Sequence, residues 1–456
     1  MPRPPRLFLW ISLASIVVIF LIALVAGNMW VHSFLRSEEF RKLVSNKTGA
    51  ALKADTTYSE LRWSGNSVFT DSLQGTGLPG GPIQTVQADQ IRAEVNWRAI
   101  LDGAWRIDEV TVGYMEGTFH QPDRSAASTA NTPPPPPAPT GLWKYLPRRF
   151  ELGKLHVAQA RLNFEDALNK NLVTVNDTVL NLRPDGAGWV IDGQRGTLTL
   201  PGQPALTIET FRSRLQSSAF YLTDARLRLG EVGKISVAGE FAGDSRIEAE
   251  WQQVDVAPFL KPEWRSHLTG HMSGTSVIKL PAGAGASATG RFELKDGLLQ
   301  GVPVFDQIAT FTGAPQFRRM PLQQVTGLYS WTGGVLTLTS IVADSKGLLR
   351  VEGNCLIGAN GELQSTLRVG VTPQTLQWLP GSRERVFTTE QNGYLWTDVH
   401  LGGTVDDPKE DLSARLVAAM GNEVIEQGTK VLENLPAAAP EAAKKALDML
   451  SPLLGR

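Results

Sequence analysis

Histidines, a single cysteine and a pair of adjacent aspartates are the residues of this sequence that could do chemistry. His267 and His271 are four residues apart, the spacing that places two metal ligands on one face of a helix. The residues between them are leucine, threonine and glycine, and Gly274 follows, which is typical of a strand. The glutamate of a His-Glu-x-x-His motif is also missing. The sequence therefore predicts no metal site here.

The remaining reactive residues also favour structural roles. Asp406 and Asp407 precede Pro408, and aspartates in that position commonly form turns. Cys355 lies in an apolar, strand-like run without a nearby basic group that would lower the pKa of its thiol. The sequence contains no Gly-x-Ser-x-Gly motif, phosphate-binding loop or dinucleotide fingerprint. These observations predict a protein that is not an enzyme and binds no cofactor or metal.

Composition limits the class of partner. The chain has 456 residues and a net charge of −1, with charges of both signs interspersed. Such a chain has no general attraction for a polyanion, so nucleic acid is not an expected partner. One cysteine excludes an intrachain disulfide, while the length is sufficient to bury a core without one.

The N-terminal sequence predicts a membrane anchor. Residues 7–27 contain no charged residue and are long enough to cross about 30 Å of hydrocarbon as a helix. Arg3 and Arg6 precede this run, which favours a cytoplasmic tail (1–6), a transmembrane anchor (7–29) and export of the remainder. A cleaved signal peptide ending near Val25-Ala26-Gly27 is the alternative.

Two segments follow the anchor. Region 30–119 is expected to begin with an amphipathic helix that is capped by Ser37 and ends near Gly49, followed by strands from about Asp55 to Phe119. Region 120–141 contains five consecutive prolines, Pro133 to Pro137, which predicts a disordered linker or a long loop.

Region 142–411 is predicted to be rich in β-structure. In the run from Arg246 to Trp251, apolar and charged residues alternate, and the same alternation recurs in many short segments. Asp296-Gly297 and Asn360-Gly361 are typical hairpin dipeptides, and a helix is expected within 303–312. The pattern predicts a mainly β protein whose sheet has one apolar face.

Region 412–456 changes to helical periodicity. An apolar stripe from Leu412 to Leu435 predicts one amphipathic helix, and a second is expected at about 441–450. Such a stripe usually packs on the end of its own sheet, and contact with a membrane surface is the alternative.

Three stretches resemble the AsmA-like family of anchored envelope proteins. They are residues 88–112, which follow the anchor and helix, residues 290–353, which contain Asp296-Gly297 and end in Gly353, and residues 401–412, which contain a Gly-Thr-Val-Asp-Asp-Pro-Lys run. The resemblance implies an elongated, curled antiparallel sheet with an apolar groove, related to bridge-like lipid transfer proteins. It also implies an inner-membrane protein with its bulk in the periplasm.

The resemblance leads to a hypothesis about partners. It implies that phospholipid acyl chains fill the groove, that the inner membrane and other envelope proteins are partners, and that the protein assists phospholipid transport or outer-membrane biogenesis. A non-enzymatic assembly scaffold with a closed β core is the alternative, because a sandwich satisfies the same alternation. The candidate groove residues, chosen because their strand neighbours are charged, are Ile91, Val95, Leu227, Leu229, Ile247, Trp251, Phe292 and Leu294.

Overall fold

The computed structural model describes most of the chain between Leu35 and Ala419. The described ranges are 35–79, 81–120, 149–166, 168–216, 219–241, 244–281, 285–301, 306, 309, 315–345, 347–377 and 381–419. The protein is mainly β, and its described residues fall into two compact units, one up to Ala225 and the other from Arg226. Strand β11 (Ala219–Leu229) contains the boundary between them.

In the described part of the first unit, helix α1 (Glu38–Leu52) precedes the strands, as the sequence predicts. Ser37 caps it by accepting a hydrogen bond from the backbone N–H of Phe40 at 3.2 Å, and Lys53 ends it in the left-handed conformation. The helix packs on the first strands, because the Thr56 hydroxyl donates to the Ser45 carbonyl at 2.8 Å. The prediction of a capped helix before the first strand is confirmed, although the helix ends three residues later than expected.

Ten strands form the sheet of the first unit, and nearly all neighbouring pairs are antiparallel. The exception is β5 with β6, which run parallel from Ala104 beside Arg149 to His120 beside Glu165. The expectation of a purely antiparallel sheet is therefore wrong at this pair. Parallel pairing requires a long connection between the two strands, because the chain has to return to the starting end of β5 before β6 begins. The strands are β1 (Ala54–Tyr58), β2 (Arg62–Ser64), β3 (Ser67–Gly77), β4 (Ile83–Asn96), β5 (Ala104–His120), β6 (Arg149–Glu165), β7 (Asn171–Asp185), β8 (Gly188–Gln194), β9 (Thr197–Thr199) and β10 (Leu206–Gln216), with the short helix α2 (Arg98–Leu101) before β5.

The first unit has a well-packed interior. One cluster joins Leu73, Ile91 and Val157 across the sheet, and a second joins Phe40 of α1 to Val95. Aromatic rings dominate the second cluster: the Phe40 ring lies 5.9 Å from Trp63 and 5.7 Å from Trp105, centroid to centroid. Each pair in this geometry stabilises the fold by about 0.5–1.5 kcal/mol beyond the area it buries.

The second unit is built on an antiparallel sheet in which β12 to β19 pair in chain order, β19 pairs with β21, and β20 and β22 pair with β21. Its strands are β12 (Gly233–Phe241), β13 (Ser245–Asp255), β14 (Leu268–Leu280), β15 (Ser287–Gln300), β16 (Arg319–Thr332), β17 (Val335–Ser345), β18 (Leu349–Ile357), β19 (Leu363–Val371), β20 (Thr389–Gln391), β21 (Tyr394–Gly403) and β22 (Pro408–Glu410). Its helices are α3 (Pro373–Leu376), α4 (Ser382–Arg385), three 3₁₀ turns (Ala257–Phe259, Pro262–Trp264, Pro315–Arg318) and residues 412–419.

The two predicted hairpin dipeptides have different outcomes. Asn360-Gly361 does form the turn between β18 and β19, where the Asn360 side chain accepts from the backbone N–H of Glu362. Asp296-Gly297 instead lies inside β15, and the hairpin prediction is wrong there. Asp296 adopts a φ of 52° and forms a β-bulge. Aspartate accepts this left-handed conformation in a bulge as readily as in a turn.

Several predictions fall on residues that the structure does not describe. They are the anchor at 7–29, most of the linker at 120–141, most of the helix expected at 303–312, and the C-terminal helices beyond Ala419. Among the described residues, no helix has the length and apolar character needed to cross a membrane.

Candidate functional site

The second unit has one continuous apolar face. Residues that pair directly across neighbouring strands project to the same side of a sheet, so the register defines rows of side chains. Three of these rows lie toward one end of the strands, and none of their members is charged. The first row is Trp251, Gly274, Phe292 and Gly327; the second is Ala249, Ser276, Gly290, Tyr329, Leu338, Cys355, Ser365 and Leu401; the third is Ile247, Ile278, Ala288, Trp331, Leu336, Ile357 and Leu363.

A line of bulges separates these three rows from the rest of the face. Gln253, Asp296 and Ser340 have φ of 52° in β13, β15 and β17, and the register shifts beside each of them. An extra residue bends a strand and increases its twist. The face therefore has two parts: the three rows above, here called the open half, and the rows on the other side of the bulges, here called the covered half.

Side chains of the covered half are buried. Val254 is 2 % exposed, Met320 1 % and Leu395 3 %. Segments outside the sheet provide the cover, because Phe317, Leu376 of α3 and Leu416 of helix 412–419 belong to the same apolar cluster. This half is an ordinary protein core, closed at one end of the strands by loops and short helices.

Side chains of the open half keep part of their surface exposed. Every described apolar side chain in its three rows is half-buried or exposed, and Trp331 reaches 37 %. Side chains on a sheet shield one another laterally, so half-burial is the result expected for an apolar face that its own neighbours cover only from the side. A contiguous apolar surface of this kind marks a binding site or an interface in a soluble domain.

Aromatic rings lie flat over glycines on this open half. Trp251 faces Gly274, Phe292 faces Gly327 and Tyr329 faces Gly290 across the strands. A Cβ added to any of these glycines would lie within 2.8 Å of the facing ring. The rings therefore occupy the space that side chains would fill, and they form a low, even apolar floor.

The opposite face of the same strands is mostly polar, with Leu328 and Leu356 as exposed apolar exceptions. It carries a furrow of about 610 Å³ over the Trp251 row. Its walls include the side chains of Glu250, Arg291 and Glu293, which alternate with the apolar residues and so project away from the floor of rings. Glu293 forms an ion pair with Lys295 at 3.2 Å, and Glu250 accepts a hydrogen bond from Gln252 at 2.9 Å. This furrow is a solvated, charged surface.

The eight groove candidates divide by burial. Ile91 and Val95 lie in the packed clusters of the first unit, while Leu227, Leu229 and Leu294 are each no more than 9 % exposed. The other three lie together on the open half and are half-buried; they are Ile247, Trp251 and Phe292. The alternation pattern alone therefore does not distinguish the five buried candidates from the three that are half-buried.

The residues considered for chemistry have structural partners. The Nδ1 atom of His267 lies 2.9 Å from the Gln300 carbonyl oxygen, and its ring packs edge-on against Trp264. His271 is exposed within β14, which confirms the strand predicted there. Asp406 forms an ion pair with Lys261, and the Asp407 N–H donates to the Thr404 hydroxyl in the adjoining turn.

Metal-binding and thiol chemistry receive no support from the described part of the chain. Within it, no group of three or more His, Cys, Asp or Glu side chains is arranged to hold a metal ion. Burial raises the pKa of the Cys355 thiol, although the Ser365 hydroxyl partly offsets this effect. A raised pKa makes the thiol a weaker nucleophile at neutral pH.

Sequence reasoning missed the bulges and the ring-on-glycine pairs. A signal for both was present, because Gly274, Gly290 and Gly327 lie inside strand-like runs, where glycine often marks a bulge or a close approach. Pairing each glycine with its ring requires the strand register, and the alternation pattern does not provide it.

Comparison with known proteins identifies no relative. No family model matches the chain, and no curated protein or solved structure matches it either.

Proposed function

We propose that this protein is a membrane-anchored lipid-handling protein whose open half contacts phospholipid acyl chains. The observation that carries the proposal is the exposure of the open half, in contrast to the covered half of the same sheet face. An apolar surface gains about 25 cal/mol for each Å² removed from water, so an uncovered apolar face has a strong tendency to acquire an apolar partner.

The shape of the open half suits a flexible hydrocarbon chain. Its second row crosses eight strands, β13 to β19 and β21, a width of about 34 Å at the usual strand spacing. Its floor is formed by aromatic rings and aliphatic side chains and contains no charge. Acyl chains bind through apolar contact area and form no hydrogen bonds, and this surface provides such apolar area.

Two features of the sequence support placing this activity at a membrane. The uncharged run at 7–27 is long enough for an anchor, and the basic tail favours export of the rest of the chain. The resemblance to the AsmA-like family adds the expectation of an inner-membrane protein of the periplasm that assists phospholipid transport or outer-membrane biogenesis, with an elongated, curled groove.

An envelope assembly scaffold is the second candidate, and the first unit favours it. Ile91 and Val95, chosen from sequence as groove residues, are 9 % and 6 % exposed inside packed clusters. In a unit with a packed core of this kind, these two candidate residues are unavailable to lipid, and the outer surface is free to contact partners. Both candidates are non-enzymatic.

A pair of charge substitutions tests the proposal. Phe292→Asp places a carboxylate on the open half, where water can hydrate it, so the protein should remain folded and lose bound phospholipid. Leu294→Asp, two residues along the same strand, places the carboxylate in the covered half at 6 % exposure and should destabilise the second unit by several kcal/mol. Melting curves and lipid extraction on the same samples give both readouts.

Each outcome of that experiment has a meaning. A folded Phe292→Asp protein without lipid supports the proposal. If this variant unfolds as Leu294→Asp does, the open half is a dry core and the scaffold is favoured. If it remains folded and retains wild-type lipid, the acyl chains bind elsewhere and the assignment to the open half is wrong.

A further inference from the structure

The furrow on the polar face has the dimensions of a site for a linear ligand. It crosses strands β13 to β16, a distance of about 14 Å at the usual strand spacing. Its walls are two rows of side chains that lie two residues apart along each strand, so the walls are about 7 Å apart. Its volume of about 610 Å³ is within the usual range of about 300–1,000 Å³ for ligand sites. One wall consists of Glu250, Thr275, Arg291 and Leu328, and the other consists of Gln252, Ser273, Glu293 and Thr326.

The floor of the furrow is backbone. The row that crosses it consists of Trp251, Gly274, Phe292 and Gly327. The rings of this row project to the opposite face of the sheet. Each of the four strands also pairs with a neighbour on both sides, so the furrow has no free sheet edge with which an extended peptide could pair. A ligand in the furrow therefore depends on the side chains of the walls for its hydrogen bonds.

The walls carry hydrogen-bond acceptors and donors side by side. Glu250 and Glu293 provide carboxylate oxygens, and Glu293 is held in place by Lys295 at 3.2 Å and by the Gln324 amide at 2.8 Å. The Ser273 hydroxyl accepts from a backbone N–H at 3.1 Å, so its own O–H remains able to donate. A ligand hydroxyl both donates and accepts, whereas the N–H and C=O groups of a peptide have fixed roles. A polyhydroxylated chain therefore matches these walls better than a peptide does.

Arg291 adds a requirement for an anion. Within the described part of the chain it forms no ion pair, and the two carboxylates of the furrow have other partners. Glu250 accepts from the Gln252 amide at 2.9 Å, and Glu293 pairs with Lys295. A guanidinium binds an oxyanion through two parallel hydrogen bonds. The two glutamates repel a doubly charged phosphate about twice as strongly as a singly charged carboxylate, so a carboxylate is the better ligand.

We propose that this furrow binds an oligosaccharide that carries carboxylate groups. Arg291 holds one carboxylate, and the polar side chains of the walls hold the sugar hydroxyls. Leu328 pairs with Arg291 across the strands and is 50 % exposed, so it contacts the apolar C–H face of a sugar ring. The furrow lies on the face opposite the open half. This inference therefore goes beyond the proposed function and does not depend on it.

Calorimetric titration of the full-length, detergent-extracted protein with two acidic hexasaccharides tests the proposal. One comes from hyaluronan, in which glucuronate alternates with a neutral sugar, and the other is a hexamer of mannuronate. At least one should bind saturably. Arg291→Gln should weaken this binding at least about tenfold, because it removes a charge-assisted pair. Arg246→Gln is the matched control: Arg246 is exposed on the same face outside the furrow, pairs with Glu248 at 2.9 Å, and should not affect binding.

Two further probes distinguish a sugar site from general attraction between charges. A neutral hexamer of glucose should bind at least about tenfold more weakly than the acidic hexasaccharide, and so should a peptide of six glutamates. Equal binding of either probe overturns the proposal. Failure of both acidic hexasaccharides to bind also overturns it, and so does wild-type affinity in Arg291→Gln. Bound phospholipid, measured in the same samples, reports separately on the proposed function.

Discussion

Glycines beneath aromatic rings are the residues on which the flat floor of the open half depends. A Cβ at Gly327 would lie 2.7 Å from the Phe292 ring, while one at Gly402 in β21 would meet nothing within 4 Å. Gly327→Ala should therefore displace the ring and destabilise the protein by about 1–3 kcal/mol, as overpacking usually does. Gly402→Ala is the control and should change stability by less than about 0.5 kcal/mol. Chemical denaturation measures both, and equal stability would show that the ring moves aside without cost.

Asp411 is a second residue with a specific role, because it holds the start of helix 412–419. Burial raises the pKa of its carboxyl, but hydrogen bonds from the backbone N–H and ring of His400 and the charge of Arg415 outweigh burial, and the pKa is lowered below the ordinary value of 3.8. A lowered pKa in the folded state means that the ionised carboxylate stabilises the fold. This contribution is complete above the ordinary pKa and is lost as the pH falls through the folded-state value.

The prediction for Asp411 concerns acid stability. The Asp411→Asn variant should be less stable than the wild type at neutral pH, and the difference should shrink as the pH is lowered from about 5 to about 2. Thermal melting across this range measures the difference, with Asp407→Asn in the neighbouring turn as the control. A difference that stays constant with pH would contradict the role of the charge.

At the scale of elements, the parallel pair of β5 and β6 sets a minimum length for the chain between them. His120 ends one strand and Arg149 begins the other, at opposite ends of a seventeen-residue ladder that is about 55 Å long. An extended chain covers at most about 3.6 Å per residue, so about sixteen residues are the minimum. The sequence provides residues 121–148 for this purpose.

Because of this minimum length, replacing the linker and deleting it should have different effects. Replacing residues 121–140 with a Gly/Ser bridge of equal length should leave the thermal transition unchanged, since this composition contributes little apolar surface. Deleting the same residues with no replacement leaves eight, too few for the distance, and should disrupt the pairing of β5 with β6. An unchanged melting temperature after full deletion would contradict the parallel arrangement.

The sequence was informative about elements and less so about their pairing. Alternation such as that of Arg246 to Trp251 predicts strands well, because one apolar face forces a period of two. It cannot show that Leu294 is covered while Phe292 is half-exposed, since the cover comes from residues distant in sequence, such as Val256 and Leu260. The bulge at Asp296 was equally hidden, because a turn and a bulge use the same residue types.

For the whole molecule, we expect the N-terminal apolar run to be retained in the mature protein. The intact mass of the protein purified from membranes should include residues 7–27, because this run is longer than the apolar core of most signal peptides. A mature N-terminus near Asn28 would show that the run is cleaved. In that case, the proposal of a membrane anchor would fail, while the open half would remain to be explained.

Native mass spectrometry of the detergent-extracted protein shows whether phospholipid is bound. We expect the wild-type protein to carry added mass that matches one or more phospholipids. We also expect Ile247→Asp, which places a charge in the third row of the open half, to remove this mass without unfolding the protein. A wild-type protein that carries no phospholipid under conditions that preserve its fold would contradict the claim, and so would phospholipid retained in full by Ile247→Asp.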